Sequence, residues 1–160
     1  MKKILLDMDT GVDDALAIAL TAAAEKAGDA QLIGITTCFG NVENTTAVRN
    51  SLSILSALGR TDVPVFPGSD RALAAKEKYI AGEECFLIHG HDGIGDAGFP
   101  LSEKAPETTD SVDFILQAAE KYGAELTLVP TGPLTNVARA IQRDKKTFEK
   151  IGRIVLMGGA

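Results

Sequence analysis

The sequence predicts an α/β fold, with a mostly parallel sheet and helices on both of its faces. Three observations carry that expectation. Apolar runs such as KKILL, QLIGITTCF and ELTLVP alternate along the chain with longer stretches of helical periodicity. Apolar residues make up 45% and charged residues 24% of the chain, as in ordinary globular proteins. The 160 residues contain no internal repeat, low-complexity tract or linker, so residues 1–160 read as one domain.

The elements follow in order. KKILL is the first strand, and Thr10 with Asp13 three positions on suggests a capping box opening a helix to about Lys26. Gly28 and Asp29 stop that helix, and QLIGITTCF forms a second, buried strand. Asn41 is placed to cap the next helix, whose stripe is Val48, Leu52, Leu55 and Leu58 and which Gly59 closes. VPVFPG supplies a short third strand. From Ser69 to Thr109 periodicity is lost, apart from a short helix expected over Arg71 to Lys78. So long an irregular stretch in a compact domain usually carries function. A helix from Asp110 to Tyr122, the strand ELTLVP, a helix opened by Pro133 in TGPLTNVARAIQ and the strand GRIVLMGG complete the pattern.

Totals exclude several roles. A net charge of −6 argues against nucleic acid or an acidic membrane surface as partner. Cys38 and Cys85, with no CxxC spacing, indicate a reduced, cytoplasmic protein without a disulfide framework. Asp7 and Asp9 interrupt the apolar start too early for a signal peptide, and ALAIALTAAA is too short to span a bilayer.

In such folds ligands bind beyond the carboxyl ends of the strands. Those ends bring Asp7 and Asp9, then Cys38 to Asn41, Pro67 and Gly68, Thr131, and Met157 to Gly159. None of these turns holds a lysine or arginine, so a strongly anionic ligand is not expected. Asp7 and Asp9 are two apart and share a strand face, while Asp13 and Asp14 enter the following helix's first turn. Four crowded carboxylates must either hold protons or surround a hard divalent cation. Asp13 alone is equally well explained as a favourable charge at a helix N-terminus.

The order D-x-D-T-G-x-D-D-A resembles the signature of the inosine-uridine-preferring nucleoside hydrolases. TTCFGN at 36–41, IHGHDGIG at 88–95, LVPTGPLTN at 128–136 and IVLMGGA at 154–160 resemble that family's later segments, in the same order. The resemblance implies a Rossmann-like core and hydrolysis of the N-glycosidic bond of ribonucleosides to base and ribose. It implies Ca2+ as cofactor, held by Asp9, Asp14 and the main-chain carbonyl of Thr131. Asp9 would be the general base on a calcium-bound water, and Asp7 a supporting acid. Asp13 and Asn41 would hold ribose hydroxyls, Met157 would line the sugar pocket, and His89 would be a loop residue near the base. The expected partner is a small nucleoside, in a salvage role.

The family's proteins are about twice as long as this chain, so the resemblance implies an incomplete core ending at Ala160. A late His-Asp pair that would serve as leaving-group acid and further metal ligand has no counterpart here. Weak or absent turnover by these 160 residues is therefore expected, along with an exposed sheet edge and homo-oligomers. A non-catalytic calcium- or nucleoside-binding relative is the alternative. More remote is a magnesium-dependent phosphatase of the haloacid dehalogenase type, with Asp7 as nucleophile and Thr36 or Thr37 gripping phosphate. GIGDAG at 93–98 matches a dinucleotide motif, but no strand precedes it. His89, His91, Asp92 and Cys85 are zinc-ligand types at a spacing that fits no common site, and Cys38 reads as packing.

Overall fold

Alternation along the first strand divides the core into two layers. In the computed structural model, which describes residues 1–158, β1 (Lys2–Met8) sends Leu6 and Met8 to one face and Leu5 to the other. On the first face lie α1 (Val12–Lys26) and α2 (Asn44–Ala57), through Ile18, Leu52 and Leu55. On the second lie α4 (Ser111–Tyr122) and α5 (Thr135–Phe148), through Val112, Ile115, Val137 and Ala140. The remaining strands are β2 (Ala30–Thr37), β3 (Val65–Phe66), β4 (Leu126–Pro130) and β5 (Arg153–Ile154), and α3 spans Glu83–His89. All pairings are parallel in the order β3-β2-β1-β4-β5, so the expected doubly covered parallel sheet is present. β1 is its centre, and each fully buried leucine there adds about 1.5–3 kcal/mol of transfer free energy. Among the described residues no helix is long and apolar enough to cross a membrane.

Several boundaries differ from the sequence expectation. Gly11, not Thr10, is the N-cap of α1, and Asp14, not Asp13, accepts from its backbone N–H at 3.1 Å. Thr10 is unavailable because its fully buried hydroxyl pairs with Ser51 Oγ at 2.8 Å. Glu43 caps α2 in place of Asn41, whose own N–H is taken by Asp9. Residues 71–78 form turns rather than a helix, since Lys78 pairs with Asp70 and Tyr79 N donates to Asp70 O. The helix of that region is α3, further along.

At the far end, α5 starts at Thr135, after Pro133, and runs to Phe148 across a non-helical Asp144. The last strand is shorter than GRIVLMGG suggests. Its register nevertheless continues, with Val155 N on Leu128 O and Met157 N on Pro130 O, both at 3.0 Å. Gly159 and Ala160, the end of the IVLMGGA segment, lie outside the described residues.

Candidate active site

The acidic cluster stands at the carboxyl end of the central strand, where β1, β2 and β4 all terminate. Asp7 is fully buried. Its Oδ1 accepts from Thr36 Oγ1 at 2.7 Å and from Asn136 Nδ2 at 2.8 Å, while Oδ2 is buried with no hydrogen-bond partner. Burial is the main reason its pKa rises to about 6, against the lowering effect of those two donors. A carboxylate so enclosed is badly placed to attack a phosphate, which removes the basis for the phosphatase reading.

Asp9 follows the strand and is held from two sides. Its Oδ2 accepts from Asn41 N at 2.7 Å. A Cβ on Gly40 would come 2.0 Å from Oδ2, and one on Gly132 would come 2.9 Å from Oδ1. The loops after β2 and β4 can close on this carboxylate only because both positions are glycine. Asp14, also buried, accepts from Thr131 Oγ1 at 2.7 Å through Oδ1 and from Gly11 N through Oδ2. Burial lifts it to about 7, and the nearby Asp9 charge adds to that. Asp9 is raised as well, by burial first and by the Asp13 charge last. Among the described residues no ion pair reaches Asp7, Asp9 or Asp14, so the cluster has no internal countercharge.

Asn41 and His89 close on Gly11, and Asp13 lies at the edge of His89's reach. A Cβ on Gly11 would lie 2.6 Å from both Asn41 Nδ2 and His89 Nδ1. His89 is the last residue of α3 rather than a loop residue, and its Nδ1 accepts from Val12 N at 3.2 Å. That acceptor role requires the Nε2–H tautomer at this nitrogen pair. Asp13 is exposed, with Oδ1 4.0 Å from His89 Nδ1. Met157 is tied to this end of the sheet through its backbone N–H on Pro130 O, but its side chain is exposed and no contact brings it to the acidic cluster.

The donor chemistry fits part of a calcium shell. Asp9 and Asp14 offer hard oxygens without a competing cation, and Thr131 lies beside Asp14, its N–H on Asp7 O at 2.8 Å and its hydroxyl on Asp14. Calcium takes six to eight oxygens, more than two carboxylates and one carbonyl supply. Among the described residues no three His, Cys, Asp or Glu side chains converge as a metal centre. The suggested zinc ligands do not meet either. Cys85 lies against Tyr79 OH, His91 stacks on Phe86, and Asp92 accepts from Ile94 N and Asp96 N.

Sequence reasoning missed the polar scaffold beneath the carboxylates. Asn136 joins Asp7 to Thr37 O and Ser69, and Asn44 joins Thr37 Oγ1 to Gly68 O. The one available signal was a run of Ser, Thr and Asn in strand ends and helix first turns, of which the structure buries Thr36, Thr37, Asn44, Ser69 and Asn136.

Comparison with known proteins gives the family and the fold. Residues 4–160 match the family described as inosine-uridine preferring nucleoside hydrolase. A probable uridine nucleosidase 2 of Arabidopsis thaliana is 40% identical, over 99% of this chain and 48% of the relative. A pyrimidine-specific ribonucleoside hydrolase of Shewanella oneidensis is 37% identical, over 98% of this chain and 47% of the relative. The structure of a purine-preferring ribonucleoside hydrolase from Gardnerella vaginalis superimposes with a TM-score of 0.92 at 44% identity, over 99% of this chain and 49% of that one. The chain thus spans about half the length of the curated relatives it matches.

Proposed function

This chain belongs to the inosine-uridine preferring nucleoside hydrolase family, and we propose that it carries the carboxylate half of a site that hydrolyses the N-glycosidic bond of a ribonucleoside. The observation that carries the proposal is the pair Asp9 and Asp14, buried without countercharge, with Gly40 and Gly132 closing on Asp9. Asp9, Asp14 and the Thr131 carbonyl would hold calcium, with water, substrate or residues outside the described set completing its shell. Calcium supplies charge that makes a bound water easier to deprotonate.

The remaining steps belong to the side chains. Asp9 is oriented by the Asn41 N–H on Oδ2, which leaves Oδ1 to take the proton. Asp13 and the Asn41 carboxamide, each near the His89 ring, hold ribose hydroxyls. Negative charge beside the ring favours the oxocarbenium character that develops as the bond breaks. His89 approaches the nucleoside from α3, and Met157 borders the sugar. A neutral nucleoside suits strand ends that lack lysine and arginine. The relatives' names divide between uridine, pyrimidine and purine, so the proposal is for a ribonucleoside without a stated base.

Turnover by these 160 residues alone is proposed to be weak, in a cytoplasmic, self-associating protein. Both histidines are engaged, His89 with Val12 and His91 with Phe86, and the exposed Leu16 and Leu20 on α1 favour self-association. The test is release of ribose from uridine and inosine with calcium present, against an Asp9→Asn control. Ribose above the control supports hydrolysis, and nucleoside binding without ribose favours the binding-only reading. Neither binding nor release would overturn both.

A further inference from the structure

We infer that Asn136 is a positioning residue, setting the Asp7 carboxylate beside the proposed metal site. The inference rests on the calcium reading given above. Asn136 is the second residue of α5, fully buried, and its contacts come from three other segments. Its Nδ2 donates to Asp7 Oδ1 at 2.8 Å and to Thr37 O at 2.9 Å. Its Oδ1 accepts from Ser69 N at 2.9 Å and from Ser69 Oγ at 2.8 Å. Both donors and both acceptor positions are therefore used.

That pattern gives the amide one orientation. A backbone N–H at Ser69 can only donate and a backbone carbonyl at Thr37 can only accept, so neither tolerates a flipped carboxamide. Asp7 consequently always meets an N–H. Thr36 Oγ1 donates to the same Asp7 oxygen, so the carboxylate is pinned through Oδ1 while Oδ2 stays buried and unpartnered. Gly68 permits the approach, since a Cβ there would stand 2.6 Å from Asn136 Nδ2 and 2.3 Å from Thr37 O.

A purely structural tie between α5 and the sheet would gain nothing by leaving a buried carboxylate oxygen without a donor. The arrangement is explained if the orientation of Asp7 matters to the neighbouring ligands. Asp7 precedes Asp9 by two residues, and its carbonyl accepts the N–H of Thr131. Partners one step removed from a metal ligand orient it, and losing one commonly weakens the metal by roughly tenfold or more.

The experiment is a calorimetric titration of the full chain with calcium chloride, in four proteins: wild type, Asn136→Ala, Asp7→Asn and the double variant. The expected result is a loss of roughly tenfold or more in calcium affinity on Asn136→Ala in the wild-type background. In the Asp7→Asn background the same substitution should change affinity by no more than about twofold, because it acts through Asp7. Equal losses in both backgrounds mean a general structural role and overturn the inference, as does no loss at all. A wild-type chain that takes up no calcium overturns the calcium reading, and this inference falls with it. Should Asn136→Ala show no cooperative melting transition, Asn136→Ser carries the same cycle with the same outcomes.

Discussion

Gly40 lies so close to Asp9 that a Cβ added to it would stand 2.0 Å from Asp9 Oδ2. The next residue, Asn41, donates its backbone N–H to that same oxygen at 2.7 Å. One loop therefore both makes room for the carboxylate and aims it. In Gly40→Ala either the loop or Asp9 must shift, at an overpacking cost of about 1–3 kcal/mol. Thermal melting should drop accordingly, and calcium titration should show a larger loss than melting alone explains. Unchanged calcium affinity in a folded Gly40→Ala protein would count against Asp9 as a ligand.

Asp14 combines two duties, as partner of Gly11 at the start of α1 and as a proposed ligand. In Asp14→Asn the Thr131 hydroxyl can reverse and accept from the new amide, so the fold should survive. Calcium-induced thermal stabilisation should then shrink strongly, since a charged oxygen donor is lost. A variant stabilised by calcium as much as the wild type would remove Asp14 from the metal site.

Stability of the metal-free chain should fall as pH rises from about 4 to 7. Burial holds Asp7 at about 6 and Asp14 at about 7, above the ordinary 3.8 of the unfolded chain. In that window the folded state keeps protons that the unfolded state has released, so each increase in pH favours unfolding. Asp62 and Asp70, held low by hydrogen bonds from Arg60 and Lys78, oppose this only below their ordinary range. Denaturant melts at pH 5 and pH 7.5 decide it. A metal-free chain more stable at pH 7.5 than at pH 5 would contradict the sign.

His89 links α3 to the first turn of α1 by accepting the N–H of Val12. His89→Ala leaves that donor without its partner, at about 0.5–1.5 kcal/mol for the hydrogen bond. Hydrogen exchange at the Val12 amide should accelerate more than exchange in the middle of α1. Equal acceleration throughout the helix would mean that the contact does not anchor its first turn.

Where the elements were legible in the sequence, the reason is local. Ile4 to Met8 alternate between two buried layers, and the stripe of α2 buries Leu52 and Leu55, both readable from spacing. Errors arose where a distant partner captured a residue that would otherwise have capped a helix. Thr10 turned to Ser51, and the Asn41 N–H turned to Asp9. Leu58, the last residue of the expected stripe, falls beyond α2 and is exposed. In the 71–78 region the acidic Asp70 closes a turn with Lys78 and Tyr79, which local helix propensity does not register.

The sequence by itself determined the strand–helix alternation, the crowd of aspartates at the end of β1, and the motif order that the family match bears out. All three are relations between near neighbours or ordered segments, which a linear chain displays directly. Tertiary structure alone decided which carboxylates lose water, which glycines close on Asp9, and which amide holds Asp7. Asn136 and Asp7 are separated by 129 residues, and Thr131 and Asp14 by 117. Contacts of that range exist only once the sheet has brought its strand ends together, and burial, which shifts the carboxylate pKa values, follows from the same assembly.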